Sequence, residues 1–368
     1  MSVAIALTTA VVAATIALAN GSSNSASAVS AAGGASLCYG QIVAPQYLAD
    51  TVTLIDQQTN LITRTIGTPD EPMASAYSGD GRFLFIPSMG TNTITMIDTS
   101  TNAVVRTISL QRSPQVMVAN RAGTMLWSQT WGGGPDQILR IDTTTGAVLA
   151  TFSALSVTDL FLSPDESTLW AVVNSGFGPV DLVELNATTL AQISLTPSIT
   201  STYSADMNRA GTKIYFADSG GSGVIVFDTA THALSTLVTL TQLFMVTVAP
   251  SGNMLYGIAG GYLTGRVVAI DTTTGQSTLG VPLTTFFSGG TAVGITVTAD
   301  GSKVIISYSD YALGGLLSVP TTDITTGVKI PSEIYSQATV CPLAVDPDPA
   351  TTSTTTSTAD PVVPAFTG

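Results

Sequence analysis

Histidine occurs once in these 368 residues, cysteine twice, and Lys and Arg together only 11 times, against 24 Asp and Glu. With a formal charge of −13 the chain has no basic patch to neutralise phosphates, which argues against a nucleic-acid partner, and none is expected. One His and two Cys cannot assemble a transition-metal or haem site, so no such metal and no cofactor is expected, while carboxylate calcium sites stay open although no EF-hand-like spacing occurs. Ser-His-Asp and Cys-His nucleophile arrangements are equally out of reach, and Gly-x-Ser-x-Gly does not occur. Glutamate is confined to Glu71, Glu166, Glu184 and Glu333. The Gly-rich runs at 132–134, 220–223 and 260–261 precede no helical pattern and are therefore not phosphate loops. Charged residues amount to 10%, well below the usual quarter, while 45% are hydrophobic, enough for a large core.

What the chain has instead is small, β-branched and repetitive. Residues 3–19, VAIALTTAVVAATIALA, form an uninterrupted apolar run, and Ala17-Leu18-Ala19 and Ala26-Ser27-Ala28 offer small-residue cleavage sites. Residues 1–28 therefore read as a signal peptide or N-terminal anchor, although no Lys or Arg precedes Arg64. Residues 29–36 read as a disordered spacer, 37–349 as the folded domain, and 350–368 as a Thr/Ser/Pro-rich tail. Export to the cell surface or medium follows, with membrane contact only through an uncleaved N-terminal segment.

The folded part repeats one phrase. An apolar strand ends in Asp, small polar residues follow, and a second strand begins after Asn or Gly, as in Ile94–Ile108, ITMIDTSTNAVVRTI. The turn residues are Asp56, Asp98, Asp142, Asn186, Asp228, Asp271 and, offset, Asp323, at intervals of 42, 44, 44, 42, 43 and 52. A period in the low forties with four strand-like runs per unit predicts an all-β propeller of four-stranded antiparallel blades. Each turn Asp is placed to accept backbone N–H groups two and three residues on. Thr59, Thr101, Thr145, Thr189, Thr231, Thr274 and Thr326 follow it by three positions. The next position holds Asn60, Asn102, Gly146, Leu190, His232, Gly275 and Gly327, mostly residues that tolerate positive φ. Leu190 is the exception, expected to be strained or differently turned. His232 is read as structural for the same reason.

Counting units also predicts how the ring closes. Thr339–Val345 reads as an inner strand whose blade lacks its other three, and Cys38–Val43, Thr51–Ile55 and Leu61–Ile66 supply them. That makes seven blades, with the C-terminal strand paired to the N-terminal blade and no free sheet edge. The phasing sets Cys38 and Cys341 as cross-strand neighbours, close enough for a disulfide, the alternative being two unrelated buried thiols.

With the repeats aligned, the chain resembles the YVTN-repeat β-propellers, an exported and cell-surface family related to lactonase-like propellers. The resemblance rests on Ile94–Asn102 (ITMIDTSTN), Ser163-Pro164-Asp165, Gly67–Pro72 (GTPDEP) and Lys213–Asp218 (KIYFAD), the last with Asp where the name-giving tetrapeptide has Asn. It implies a seven-bladed fold over about residues 38–348 and a family that includes surface-layer and adhesion-type modules.

The expected function is that of a non-catalytic binding or scaffold module, a monomer that takes an extracellular protein or glycan. Its ligand-binding residues should lie in the loops that do not repeat: Trp131, Asp136, Asp218, Tyr262, Asp310 and Tyr311, with Phe177 and the long Gln276–Thr291 connection beside them. Aromatics next to carboxylates are what such a surface needs. Two other readings stay open. A lactonase-like hydrolase would need ionisable side chains clustered in the central channel, and a redox-docking subunit would need a haem-protein partner.

Overall fold

Alternating Val, Ile, Leu and Thr between tight polar turns produce strands of two to seven residues, and the computed structural model arranges them as seven four-stranded antiparallel sheets. The structure describes residues 38–341 apart from 39, 154–155, 175–178, 201, 222, 241, 261–263, 288–290, 310–313 and 332–336. All of them belong to one unit, Gly33–Gly368. The proposed signal segment, spacer and tail lie outside the described residues. No helix among the described residues is long and apolar enough to cross a membrane.

Six of the seven blades run from an inner to an outer strand in chain order, and the closing blade takes its inner strand from the far end of the described chain. Blade three, for example, comprises Ser113–Ala119, Met125–Trp131, Gln137–Asp142 and Val148–Ser153. Second and third strands are buried on both faces, as in the pattern iBBBBi of Thr93–Asp98, and they carry the core. Seven apolar clusters occupy the spaces between blades. One of them joins Trp127 and Ile138 of blade three to Leu169 and Leu185 of blade four. Eleven of the large exposed apolar residues, among them Ile62, Val104, Val105, Val148 and Leu195, sit on or beside the outermost strands. The expectation of no free edge needs correction here. Closure removes the seam of the ring, but every outermost strand still offers one unpaired edge to solvent, as blade geometry requires.

The seam is built as the phasing predicts. Thr339–Val340 pairs antiparallel with Gln41–Gln46, through Val43↔Thr339 and Ile42↔Val340, and completes a sheet with Thr51–Asp56 and Ile62–Gly67. Strand two begins at Gln41, not Cys38, because Gly40 turns the chain at φ +85°. Cys38 and Cys341 are bonded, with Cα atoms 5.7 Å apart across 303 residues of sequence, and both are fully buried. Thr339 Oγ1 donates to the Ser75 carbonyl (2.8 Å), and Lys303 Nζ donates to the Gln58 carbonyl (3.0 Å), so blades two and seven also hold the closing blade.

The repeated turn takes the expected form. Asp142 Oδ1 accepts from the amides of Thr144 and Thr145, both at 2.8 Å, and Asp56, Asp98, Asn186, Asp228 and Asp271 do the same at their own turns. These bonds, strongest with the Thr three places on, hold the Asp142 carboxyl below its usual range. Asn60, Asn102, Gly146, Leu190, His232 and Gly275 all have positive φ. Gly327 does not share it: in the offset seventh copy Thr326 bonds back only three residues, to the Asp323 carbonyl. Leu190 keeps the turn at φ +57°, and its side chain is only 3% exposed, in the cluster between blades three and four. Burial of a leucine, about 2 kcal/mol, offsets the roughly 1 kcal/mol cost of the left-handed backbone.

A second repeated device rests on threonines whose partners the sequence does not show. The residue immediately after the third strand donates its hydroxyl to a glycine carbonyl in the turn between strands one and two. Thr99 reaches Gly81 (2.7 Å), Thr143 reaches Gly123 (2.6 Å), Thr229 reaches Gly211 (2.8 Å), Thr272 reaches Gly252 (2.9 Å) and Thr321 reaches Gly301 (2.8 Å). Both hairpin turns of a blade are thus tied together on one face of the ring. The non-repeating loops are left to the other face.

Candidate functional site

Two regions of the molecule escape the repeat: the loops on the untied face and the central channel. On the loop face, Trp131 ends the second strand of blade three and is 56% exposed. The loop after it is braced from below by Arg112, which donates to the carbonyls of Pro135 (2.5 Å) and Gly133 (3.4 Å). Asp136 closes that loop by accepting from Gln129 Nε2 at 3.1 Å. Asp218, on blade five, is only 4% exposed, and its Oδ1 accepts the Gly220 amide at 2.8 Å. Both carboxylates thus brace their own loops, for short side chains beside glycine-rich turns find the nearest backbone or amide donor. Trp131 and Asp136 share one loop, while Asp218 stands two blades away. Tyr262, Asp310, Tyr311 and Phe177 lie outside the described residues.

The long connection Gln276–Thr291 is not a rim loop for most of its length. Ser277–Pro282 is the outer strand of blade six, and Leu283–Thr285 is a single 3-10 turn. Phe287 then stacks on Tyr308 with ring centres 3.8 Å apart, capped by Lys329 Nζ at 4.9 Å. The insertion is therefore packed into the wall between blades six and seven.

His232 lies on the tied face, with its amide bonded to the Asp228 carbonyl (2.8 Å). Its ring packs against Phe227 and Trp170, and its Nε2 is 3.6 Å from Glu184 Oε2. It belongs to an inter-blade contact, remote from the channel-lining residues.

The channel holds what the sequence pattern hides. Segments at the inner strands of all seven blades line two adjoining cavities of about 330 and 480 Å³. Asp159, on the inner strand Ser156–Leu162 of blade four, lines both, and Asp206, on Thr202–Met207 of blade five, lines the larger. Asp206 is fixed by three donors: the Met207 amide (2.8 Å) to Oδ1, and Thr247 Oγ1 (3.0 Å) and the Val248 amide (2.8 Å) to Oδ2. Asp159 Oδ2 is buried with no hydrogen-bond partner. Desolvation, reinforced by the charge of Asp206, pushes the Asp159 carboxyl up to about 7, and desolvation pushes Asp206 up to about 6. No Lys, Arg or His lines either cavity among the described residues. Both inner strands carry a bulge at this level, between Val157 and Asp159 and between Thr202 and Ala205. A bulge re-aims side chains, so plain alternation along SVTDLFL and TYSADM does not foretell which residue faces the lumen.

No group of three or more His, Cys, Asp or Glu that could hold a metal occurs among the described residues. The channel offers two carboxyls, hydroxyls, two side-chain amides and apolar walls. That suits binding a small polar or cationic molecule better than coordinating an ion.

No protein-family model matches the chain, and no curated protein sequence does. Solved structures do. A functionally unknown protein from Desulfotomaculum acetoxidans DSM 771 superposes with a TM-score of 0.66 at 15% identity, over 83% of this chain and 99% of that one. The β-propeller domain of Cps50 (Swd1) from Myceliophteria thermophila gives 0.59 at 15% identity, over 74% and 91%. Hydrazine synthase from Kuenenia stuttgartiensis gives 0.59 at 15% identity, over 82% and 94%. Likenesses at such identities speak for architecture, and the architecture they share with this chain is the seven-bladed β-propeller.

Proposed function

We propose that this chain is an exported seven-bladed propeller of the YVTN-repeat kind, acting as a non-catalytic binding or scaffold module at the cell surface. Residues 37–349 would form the propeller, with 1–28 as its signal or anchor and 350–368 as a solvated tail. The buried disulfide supports an oxidising, extracytoplasmic home. The observation that carries the binding role is Trp131. A large aromatic ring, 56% exposed beside a loop braced by Arg112, is an anchor of the kind that glycan and protein ligands stack against. A glycan array tests the reading: bound glycans should lose their signal in Trp131→Ala, and signals unchanged by that substitution would remove Trp131 from the site.

A lactonase-like hydrolase is the second reading, favoured by the ionisable pair in the channel. It requires lactone turnover that disappears in Asp159→Asn. The position of His232 on the opposite, tied face weighs against it. The redox-docking reading draws on the likeness to hydrazine synthase, and a haem-protein partner in pull-downs of the purified chain would support it.

A further inference from the structure

Asp159 and Asp206 create a local charge imbalance inside an otherwise neutral cavity. They come from adjacent blades, and no cationic side chain among the described residues lines the space they share. Asp206 already has three donors and needs nothing more, whereas Asp159 keeps one carboxyl oxygen without any. An ionised carboxylate in such a place must take a proton or a positive partner. The two cavities share Met73, Ala74, Thr158, Asp159, Thr296 and Gln337, so Asp159 stands at their junction. At about 330 and 480 Å³ they fall in the size range of small-molecule sites and far exceed a bare ion. Their walls also include thioether and aliphatic surface, from Met117, Leu160, Met245 and Ile295. Metal coordination would call for a third acidic or imidazole ligand, which the described residues do not provide.

From this placement we infer that the central channel binds a small organic cation, an alkylammonium or diammonium, anchored on Asp159 with its carbon chain along the methionine-bearing walls. Asp159 accepts the ammonium N–H groups, and Asp206 adds the attraction of a second negative charge. The hydroxyls of Thr158 and Thr296 and the Gln337 amide furnish neutral polar partners in the shared part of the site. The site is separate from the Trp131 loop and independent of the surface-binding role.

Isothermal titration of the full chain at pH 8 tests it, with n-butylamine and 1,4-diaminobutane as probes, n-butanol as the uncharged control, and calcium and manganese chlorides as separate arms. The amines should bind, with uptake weakening as pH falls from 8 to 5 and protons compete for Asp159. Asp159→Asn should weaken amine binding by about tenfold or more, the loss of one charge-assisted hydrogen bond. The variant removes a buried charge and is expected to fold, as a melting curve will show; the comparison of amine with alcohol on the unaltered chain holds regardless. Absence of amine binding, equal binding of butanol, unchanged affinity in Asp159→Asn, or binding of the metal ions alone would each overturn the proposal.

Discussion

The channel carboxyl at Asp159 should make the folded protein weaken as pH rises, against the usual behaviour of carboxylates. Its pKa is about 7 in the folded state, against the ordinary 3.8. Between those values the folded chain holds a proton that the unfolded chain has released, so stability is present at low pH and is lost as pH climbs through 7. The gap between the two values sets an upper limit of about 4 kcal/mol at high pH, at about 1.36 kcal/mol for each pH unit. From pH 5 to pH 8 the same relation gives a loss of about 2.5 kcal/mol from Asp159 alone. Asp159 is only partly buried, which reduces this, so about 2 kcal/mol is the working expectation. Asp159→Asn keeps the shape and deletes the charge. It should gain stability at pH 8 and change little at pH 5. Urea denaturation at constant ionic strength and pH 5, 6, 7 and 8, for both proteins, measures the difference directly. A wild-type stability that stays flat or rises from pH 5 to 8 would refute the reasoning, as would a variant with the same slope. Below about pH 4 the sign reverses. Asp56, Asp98, Asp142, Asp228 and Asp271 have lowered pKa values, chiefly through turn hydrogen bonds, and their stabilisation is lost as those carboxylates protonate. Maximum stability should therefore fall on the acid side of neutrality.

Two further expectations concern the frame. Cys341→Ser opens a loop of 303 residues that is otherwise closed by a two-residue strand pairing, so a loss of about 5 kcal/mol is expected on chain-entropy grounds; Cys38→Ser should cost the same, and the double variant no more than either alone. Leu190→Asn relieves the left-handed backbone but empties a buried site, so a net destabilisation of about 1–3 kcal/mol is expected in denaturant melts, whereas His232→Asn, at the equivalent but more open position, should change stability by about 0.5 kcal/mol or less.

The blade count, the seam and the disulfide are legible because they repeat or close a repeat: Asp, Thr and a left-handed residue recur at a spacing that, with four strand-like runs per unit, marks propeller blades. The threonines after the third strand recur too, in five of the seven units. They stay invisible because a hydroxyl reaching another turn needs the fold before it has a partner. Asp136 and Asp218 look like ligand groups in the sequence, and the structure shows that each also accepts a bond within its own loop, which depends on where Gln129 and the Gly220 amide stand. Asp159 and Asp206 elude the pattern for another reason. Inner-strand bulges break the two-residue alternation at the level where the channel is lined.

The seam also sets an order of assembly. The first blade to leave a ribosome or a translocation pore carries only its second, third and outer strands. Its inner strand, Thr339–Val340, is followed by Cys341, near the far end of the described chain. Until that strand arrives, the channel has a gap in its wall, and Cys38 has no partner. The ring therefore cannot shut on a fragment. The disulfide is both the last covalent act of folding and a proof that every blade before it has been made.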